Sequence, residues 1–489
     1  MNLSARPATT PTPSPLPAQR HLPAGLLCAA LLLHGCGGGG GSAVNSAPTP
    51  TPAPTPAPTP TPAPVGSATT TLGLSLPAKG LVAAQLGVII ADGDPQSEAI
   101  AAYYQTARGV PAANIIRVKL TTGSATLSAA DFAALKTEVD AKLPSGVQAT
   151  LLTWTAPSRV VGACAMSITS ALALGYDSKY CGSGCVATAA SPYFDSESSQ
   201  PWTDHKIRPS MMLGARTLEA AKALIDRGLL ADTSLPSGDG YLLRTSDSAR
   251  SARASDYTTL PAQWAGRLKL NYIDNSAGTS SDSLSGKTGV LFYFTGLAQV
   301  PGIASNGFRP GAVADNLTSY GGLLPSVAGQ MPITDWLDGG ATASYGTVEE
   351  PCNFTQKFSS ASVLIDQYYR GGSLIEAYWK AVQWPGQGLF VGEPLAQPFP
   401  ERPSFTLEGG RYVIKSRALR PHSNYSLDYR SSASGSTGGS WTTLASFNTT
   451  PAALQTLSAA LPPADALQLR WVGPCPANTQ QQCTLSSSP

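Results

Sequence analysis

The stretch Leu86-Gly-Val-Ile-Ile-Ala-Asp-Gly-Asp-Pro95 decides the fold, because it leads from a short apolar segment into a turn and then into a helix. Its first six residues have the length and apolar content of a buried strand. The Asp-Gly-Asp-Pro end is a turn sequence, and Ser97 is placed to cap the helix after it. Apolar residues at helical spacing predict that helix, and they are Ile100, Tyr103, Tyr104 and Ala107.

The next residues repeat this alternation of strand and helix. They predict a strand at 114–120, a helix at 129–143 capped by Ser128, and a strand at 149–154. Such an order favours a parallel sheet covered by helices. Further strands are predicted at 241–244, 268–272 and 290–295, and further helices at 217–230 and 374–382. We therefore predict an α/β domain over residues 71–400, with a mostly parallel sheet flanked by helices.

A change of pattern marks the C-terminal part of the chain. Several prolines lie close together at the boundary, namely Pro394, Pro398, Pro400 and Pro403. Beyond them apolar and polar residues alternate, as in Tyr425, Leu427 and Tyr429, and glycine pairs such as Gly409-Gly410 separate the runs. Period-two alternation between turn signals is typical of antiparallel strands. We predict a small β-sandwich domain over residues 401–489.

Residues 1–36 have the layout of a secretory signal peptide with a lipobox. The apolar run at 22–33 is about a dozen residues long, which is too short to span a bilayer. It ends in Leu33-His-Gly-Cys36, which resembles the bacterial motif whose cysteine is diacylated. Residues 37–70 are a Gly-rich and then Pro/Thr-rich linker that favours extended polyproline II. We expect a lipoprotein anchored by Cys36 and facing the periplasm or cell exterior; the alternative is an ordinary secretory signal.

The composition argues against a nucleic-acid partner. Only 13% of the 489 residues are charged, and the net charge is +2. No block of like charge is present, whereas nucleic-acid-binding proteins carry basic patches. The expected partners are the membrane, through the lipid anchor, and envelope proteins or peptides. No cofactor is predicted.

Six cysteines follow Cys36, and an even number in an oxidising compartment predicts disulfides. They are Cys164, Cys181, Cys185, Cys352, Cys475 and Cys483. Local spacing favours the pairs Cys181–Cys185 and Cys475–Cys483, which leaves Cys164 to pair with Cys352. The alternative keeps Cys164 or Cys352 as a reactive thiol.

A thiol enzyme would place its nucleophile beside a base. His205 is the only histidine of the α/β domain, so a catalytic dyad would pair it with Cys352 or Cys164. The alternative is that His205 is a solvated loop residue. Glu349 and Glu350, close to Cys352, are candidates for orienting a base or a substrate.

Two carboxylates follow the first predicted strand. Asp92 and Asp94 stand at the carboxyl edge of the predicted sheet, where ligands bind in open parallel sheets. They are candidates for binding a cation or an amine, and the alternative is a plain Asp-Gly turn. The chain lacks a Gly-x-Ser-x-Gly elbow, a Gly-x-Gly-x-x-Gly fingerprint after this strand, and a histidine at zinc-ligand spacing to a cysteine.

Several stretches within residues 85–400 are similar to stretches found in one bacterial family. They are the 97–111 helix with its Arg-Gly-Val-Pro end, Arg208-Pro-Ser-Met-Met-Leu213, Arg309-Pro-Gly-Ala-Val-Ala-Asp315, Thr318-Ser-Tyr-Gly-Gly322, 341–353, 369–379 and Pro385-Gly-Gln-Gly-Leu-Phe-Val-Gly-Glu-Pro-Leu395. Together they resemble an uncharacterised family of exported proteins from species that carry exosortase protein-sorting systems. That family has no established activity, so the resemblance implies no catalytic residues.

The opening strand-helix-strand and the closing Leu389-Phe-Val-Gly-Glu-Pro394 are also similar, more loosely, to gingipain-type, caspase-like cysteine peptidases. Those peptidases place a His-Gly after one strand and the cysteine after the next. Here Thr295 stands where the histidine would be, and no cysteine follows the next strand in that way. The similarity therefore implies a caspase-like fold more than a peptidase activity.

Two functions follow from the sequence. The first is a membrane-anchored binding or accessory protein of the cell envelope, with oxidised cysteines. The second is a cysteine-peptidase-like hydrolase, with a free thiol of low pKa at Cys352 or Cys164.

Overall fold

The computed structural model describes residues 72–325, 329–431, 440–450, 454–476 and 479–488. The predicted signal peptide, Cys36 and the linker at 37–70 lie outside the described residues. All described residues belong to one compact unit. No helix among them is long and apolar enough to cross a membrane.

Most strands before residue 400 lie where buried apolar or small residues run together. The strands are β1 (Leu86–Ala91), β2 (Ile115–Val118), β3 (Thr126–Ser128), β4 (Ala149–Leu152), β5 (Arg159–Val161), β6 (Ala165–Ser167), β7 (Ser210–Met212), β8 (Asp239–Arg244), β9 (Lys269–Asp274), β10 (Val290–Thr295), β11 (Phe308–Asn316), β12 (Ala343–Thr347) and β13 (Gly388–Gly392), of which β3, β5 and β9 are partly exposed. Ten of them form one sheet in the order β2-β1-β4-β7-β13-β12-β11-β10-β8-β9. The other three, β3, β5 and β6, form a small separate sheet.

The large sheet consists of two parallel halves that run in opposite directions. The strands β2, β1, β4, β7 and β13 are parallel to one another, and so are β12, β11, β10, β8 and β9. The halves meet in the antiparallel pair β12–β13, where Thr347 lies opposite Gly388. The carboxyl ends of the second half therefore lie at the same edge of the sheet as the amino ends of the first half.

Helices connect the strands and carry much of the apolar core. They are α1 (Pro95–Arg108), α2 (Ala129–Lys142), α3 (Ile168–Leu174), α4 (Ser178–Cys181), α5 (Pro201–His205), α6 (Leu218–Ala231), α7 (Ala254–Tyr257), α8 (Leu260–Gln263), α9 (Thr334–Asp338), α10 (Ala361–Tyr369) and α11 (Leu374–Ala381). The predicted α/β class and the opening order β1-α1-β2-α2-β4 are confirmed. Ser128 caps α2 as predicted, whereas α1 is capped by Asp94, whose side chain accepts a hydrogen bond from the Ser97 N–H at 2.8 Å.

The closing Gly-Glu-Pro stretch has a packing role. Glu393 follows β13 and is fully buried. It accepts a hydrogen bond of 2.6 Å from the Tyr104 hydroxyl and forms an ion pair with Arg108, both on α1. This contact joins the end of β13 to the end of α1, so the stretch that carries part of the family resemblance is structural.

The C-terminal part consists of two antiparallel sheets. Its strands are β14 (Ser404–Glu408), β15 (Arg411–Ser416), β16 (Asn424–Ser431), β17 (Thr442–Asn448), β18 (Gln455–Ala460), β19 (Ala466–Pro474) and β20 (Gln482–Ser487). One sheet has the order β14-β15-β18 and the other β17-β16-β19-β20. Tyr412 and Ile414 of the first sheet share one apolar core with Leu427 and Trp471 of the second. The predicted small antiparallel β part is thus present.

The residues just before β1 contact both parts of the fold. Leu72, Leu74 and Leu76 pack into the core of the C-terminal sheets, and the Leu72 carbonyl accepts a hydrogen bond from Tyr412. A few residues later the Leu81 N–H donates to the buried Glu376 carboxylate at 2.9 Å. This segment therefore links the antiparallel part to the α/β part.

Candidate functional site

All six cysteines in the described residues are oxidised, in pairs that differ from the predicted ones. The Cys475–Cys483 bond is present as predicted. The other four form Cys164–Cys181 and Cys185–Cys352, so the predicted pairs Cys181–Cys185 and Cys164–Cys352 are wrong. Cys181 ends α4 and is fully buried beside the Cys164 loop, whereas Cys185 lies in the exposed loop beyond it. The fold around α4 separates the two neighbours despite their short spacing.

Glu349 and Glu350 serve the loop that carries Cys352. Glu349 forms an ion pair with Arg159 at 3.2 Å and also accepts a hydrogen bond from Tyr320. The Glu350 carboxylate accepts from the Cys352 N–H at 2.8 Å. Cys352 has a backbone φ of 58°, a left-handed conformation that is uncommon outside glycine. These acidic groups thus hold a tightly bent loop whose sulfur is not a free thiol.

Asp92 and Asp94 are placed at the carboxyl end of β1 as predicted, but they have different surroundings. Asp94 caps α1 and its other oxygen accepts from the Thr122 hydroxyl at 2.5 Å. Asp92 is exposed and lies 3.7 Å from the Arg117 guanidinium. Both carboxylates therefore have partners that a turn and a helix start require.

His205 ends α5, and none of the six cysteines in the described residues offers it a free thiol. Its Nε2 is 2.9 Å from the Ser196 hydroxyl, which also donates to the Pro476 carbonyl. Burial lowers the pKa of His205, and the charge of Asp204 opposes this effect. Because the Ser196 hydroxyl donates its proton to a carbonyl, it is not activated by His205 as a nucleophile. Pro476 belongs to the antiparallel part, so this contact joins the two parts of the fold.

A cleft of about 370 Å³ lies at that junction, and the charged groups beside it are paired. Glu197 is buried and binds the ammonium of Lys79 at 2.9 Å, Arg370 through both carboxylate oxygens, and Arg420 at 3.0 Å. Burial opposes ionisation of Glu197, but the charges of Arg370 and Lys79 prevail and hold its pKa well below the usual range. A network satisfied in this way stabilises a contact between two parts of a protein.

A second buried ion pair, between Arg253 and Asp315, forms the candidate site. It differs from the Glu197 network because polar atoms near it lack hydrogen-bond partners among the described residues. Arg253 precedes α7, and Asp315 is near the carboxyl end of β11; their side chains are 4% and 1% exposed. Arg253 Nη1 donates to Asp315 Oδ1 at 2.7 Å, and the Ser359 hydroxyl donates to the other Asp315 oxygen at 2.5 Å. Arg253 Nη2 donates to the carbonyl of Thr295, the last residue of β10, at 3.0 Å. The site thus stands at the carboxyl edge of the second half-sheet, where open parallel sheets bind ligands.

Several buried polar atoms around this ion pair have no hydrogen-bond partner among the described residues. They include the hydroxyls of Thr295 and Tyr378, whereas the Tyr257 hydroxyl lies within hydrogen-bonding reach of Arg253. Burial alone would lower the pKa of Arg253, but the charge of Asp315 more than offsets it, so the guanidinium stays charged. Buried polar groups in folded proteins are nearly always satisfied, so such exceptions call for an explanation, of which a bound water, an ion or a functional role are the usual ones.

A pocket of about 220 Å³ opens above the ion pair. Its lining combines two aromatic rings with short polar side chains, and includes Phe194, Phe358, Ser255, Asp256, Gln356 and Gln383. Arg253 and Ser359 also line it. We call this site the Arg253 pocket. It offers donors and acceptors beside an apolar surface, which suits a small, mostly neutral group.

Sequence reasoning missed the Arg253 pocket. Its members come from separate segments, before α7, at the ends of β10 and β11, and before α10. One signal was present, since Asp315 ends the apolar run of β11, and a carboxylate in such a run needs a buried partner. No family model, no curated protein and no solved structure matches this chain.

Proposed function

We propose that this chain is an extracytoplasmic binding protein of the cell envelope, held at a membrane by a lipid on Cys36, and that it binds a peptide group in the Arg253 pocket. The observation that carries the proposal is the buried Arg253–Asp315 pair, with unsatisfied polar atoms around it and a pocket above it. The resemblance to exported proteins of exosortase-carrying species agrees with it.

Three disulfides support the location. Disulfides form and persist in oxidising compartments and are rare in the cytosol. One of the three, Cys185–Cys352, ties positions of the α/β fold that are 167 residues apart. An oxidising, extracytoplasmic location fits both this chemistry and the expected leader.

The lining of the Arg253 pocket supports a peptide ligand. Serine, threonine and glutamine side chains both donate and accept hydrogen bonds, as a peptide amide does. The rings of Phe194 and Phe358 offer an apolar surface for one side chain. Arg253 and Asp315 cancel each other's charge, and Asp256 in the lining is a carboxylate that accepts from the Ser360 hydroxyl and the Ser362 N–H. A peptide group, which offers an N–H donor, therefore suits the site better than an anion.

The second candidate is a cysteine-peptidase-like hydrolase with a caspase-like fold, using Cys352 or Cys164 with His205. It requires a free thiol, and both sulfurs are in disulfides here. A thiol count on the protein exported to an oxidising periplasm separates the candidates. Six oxidised cysteines support the binding protein; a thiol at Cys352 or Cys164 that alkylates rapidly near neutral pH supports the hydrolase.

The binding test uses terminally blocked dipeptides as probes, with affinity measured by calorimetry. Ser255 is exposed and lines the pocket, so Ser255→Trp fills the pocket without disturbing the ion pair. Gln263→Trp, on the exposed side of α8, is the matched control. Binding that is lost in Ser255→Trp and retained in Gln263→Trp supports the site; equal binding in both variants, or none in the unaltered protein, rejects it.

The anchor is tested separately by metabolic labelling with a radioactive fatty acid. The full-length chain incorporates label in the membrane fraction, and Cys36→Ala does not. Label in Cys36→Ala, or none in the unaltered chain, refutes the lipid anchor and leaves the pocket to its own test.

A further inference from the structure

A separate pocket of about 270 Å³ lies beside the amino ends of β4 and β7. Its lining combines apolar with basic residues, and includes Val139, Leu143, Thr150, Leu172, Trp202 and Arg208. We call it the Arg208 pocket. It shares none of its residues with the Arg253 pocket.

The guanidinium of Arg208 is held in place but is not paired with an acid. Arg208 is 8% exposed, and its Nε donates to the Val147 carbonyl at 3.0 Å. Its guanidinium carbon lies 3.6 Å from the centre of the Trp202 ring. The two terminal nitrogens make no hydrogen bond within the described residues. Stacking and one anchoring bond thus fix the plane of the group and leave its outer edge available for a bidentate acceptor.

A second observation points into the same pocket. Thr150 lines it, and the buried Thr150 hydroxyl has no hydrogen-bond partner among the described residues. The acid in the lining, Asp140, is already in an ion pair with Lys136. Arg208 and Lys206 therefore leave the pocket with an excess of positive charge. Burial lowers the pKa of Arg208, and the charge of Asp140 offsets this only in part, as expected for a cation without its counter-ion.

A structural role near helix ends does not account for Arg208. The last turns of α2 and α3 contribute Val139 and Leu174 to the lining, and cations are favoured near helix C-termini. A cation with that role donates to the free carbonyls. Arg208 donates to Val147, which follows α2, and to no carbonyl of α2 or α3 in the described structure.

We propose that the Arg208 pocket binds an organic carboxylate with an apolar body. The carboxylate lies against the terminal nitrogens of Arg208 and accepts from Thr150, and the apolar body packs against Leu172 and Trp202. The source of such a group is the C-terminal residue of a peptide or a free carboxylic acid. This site goes beyond the proposed function, because neither the peptide backbone site nor the lipid anchor requires it.

The test compares N-acetyl-leucine with N-acetyl-leucine amide by calorimetry on the purified full-length chain. The acid should bind about ten- to a hundredfold more tightly than the amide, the ratio expected for charge-assisted hydrogen bonds. Its affinity should fall with added salt. Equal affinities for acid and amide, or no binding of the acid, overturn the proposal.

Variants locate the site and name the source. Arg208→Met should remove the preference for the acid. Lys206→Met should weaken acid binding without affecting the fold, since Lys206 is exposed. Arg117→Met, at the opposite edge of the sheet, is the control and should leave acid binding unchanged. Acid binding unchanged in both pocket variants overturns the proposal. Tighter binding of acetyl-Ala-Ala-Leu than of N-acetyl-leucine identifies a peptide C-terminus, and tighter binding of octanoate identifies a free acid. Ser255→Trp leaves all these values unchanged, so a failure here is distinct from a failure of the Arg253 pocket.

Discussion

Removing the Cys185–Cys352 bond should destabilise the protein more than removing Cys164–Cys181. A disulfide stabilises mainly by restricting the unfolded chain, and the effect grows with the size of the loop that it closes. The two loops span 167 and 17 positions and do not overlap. The chain-entropy relation gives about 5 kcal/mol for the larger loop and about 3 kcal/mol for the smaller.

The assay is equilibrium unfolding in guanidinium chloride of two double variants, each with both cysteines of one pair replaced by alanine. We expect the free energy of unfolding to fall by about 2 kcal/mol more in Cys185→Ala/Cys352→Ala than in Cys164→Ala/Cys181→Ala. Single variants check the pairing independently. Cys185→Ala should leave one free thiol, which peptide mapping after alkylation places at Cys352.

Two outcomes would refute this reasoning. Alkylation of Cys181 in the Cys185→Ala variant would show that the neighbours Cys181 and Cys185 pair with each other. Equal losses of stability in the two double variants, with the pairing intact, would show that loop size does not determine the contribution of these bonds.

Other perturbations test the ionisable groups. Arg253→Met should lower the free energy of unfolding in denaturant by about 3–5 kcal/mol, because it leaves a buried carboxylate unpaired. Adding Asp315→Asn should restore part of that free energy, and a double variant without any recovery would contradict the Arg253–Asp315 ion pair. Asp94→Ala should lower the free energy of unfolding by about 1 kcal/mol through loss of a helix cap, whereas Asp92→Ala should leave the Tm unchanged. A larger loss in Asp92→Ala than in Asp94→Ala would show that Asp94 is not the cap of α1. Burial lowers the pKa of Lys380 to about 7, below the value of about 10.4 in the unfolded chain. The unfolded state therefore binds more protons between these values, and stability should rise with pH from about 7 towards 10; a Lys380→Met variant should lose this rise, and an unchanged pH slope would contradict it.

The first half of the sheet was predictable because its elements carry local signals. The apolar run of β1 and the capped helix α2 follow from spacing and end residues alone. The strand at Val290–Thr295 also coincides with its predicted bounds. In these segments the local preference and the final environment agree.

The central strands β7 and β12 were not predictable in this way. Strand β7 has only three residues, and β12 reads Ala-Ser-Tyr-Gly-Thr, with little of the branched apolar content of a buried strand. Close packing explains this composition, since a Cβ at Gly346 would stand 2.5 Å from the Ile333 side chain. Distant neighbours select such strands, and a single sequence does not show those neighbours.

The candidate sites likewise divide into those that local sequence signals indicate and those that depend on residues distant in the chain. The positions of Asp92 and Asp94 at the end of β1 follow from the local pattern. The Arg253 pocket depends on the pairing of β10 with β11 and on the path before α7, so no spacing along the chain indicates it. The cysteine pairing failed for the same reason, because α4 buries Cys181 and leaves Cys185 outside.

The segment that links the two parts of the fold also determines how a pull on the N-terminus is transmitted. Tension applied upstream of Leu72 loads first the contacts of Leu72 and Leu74 with the antiparallel sheets, and then the Lys79–Glu197 and Leu81–Glu376 bonds. These contacts bear the load one after another along the segment. Such a pull would thus loosen the antiparallel part while β1 keeps its place in the sheet, so that it would act on a different region of the molecule from the proposed Arg253 pocket.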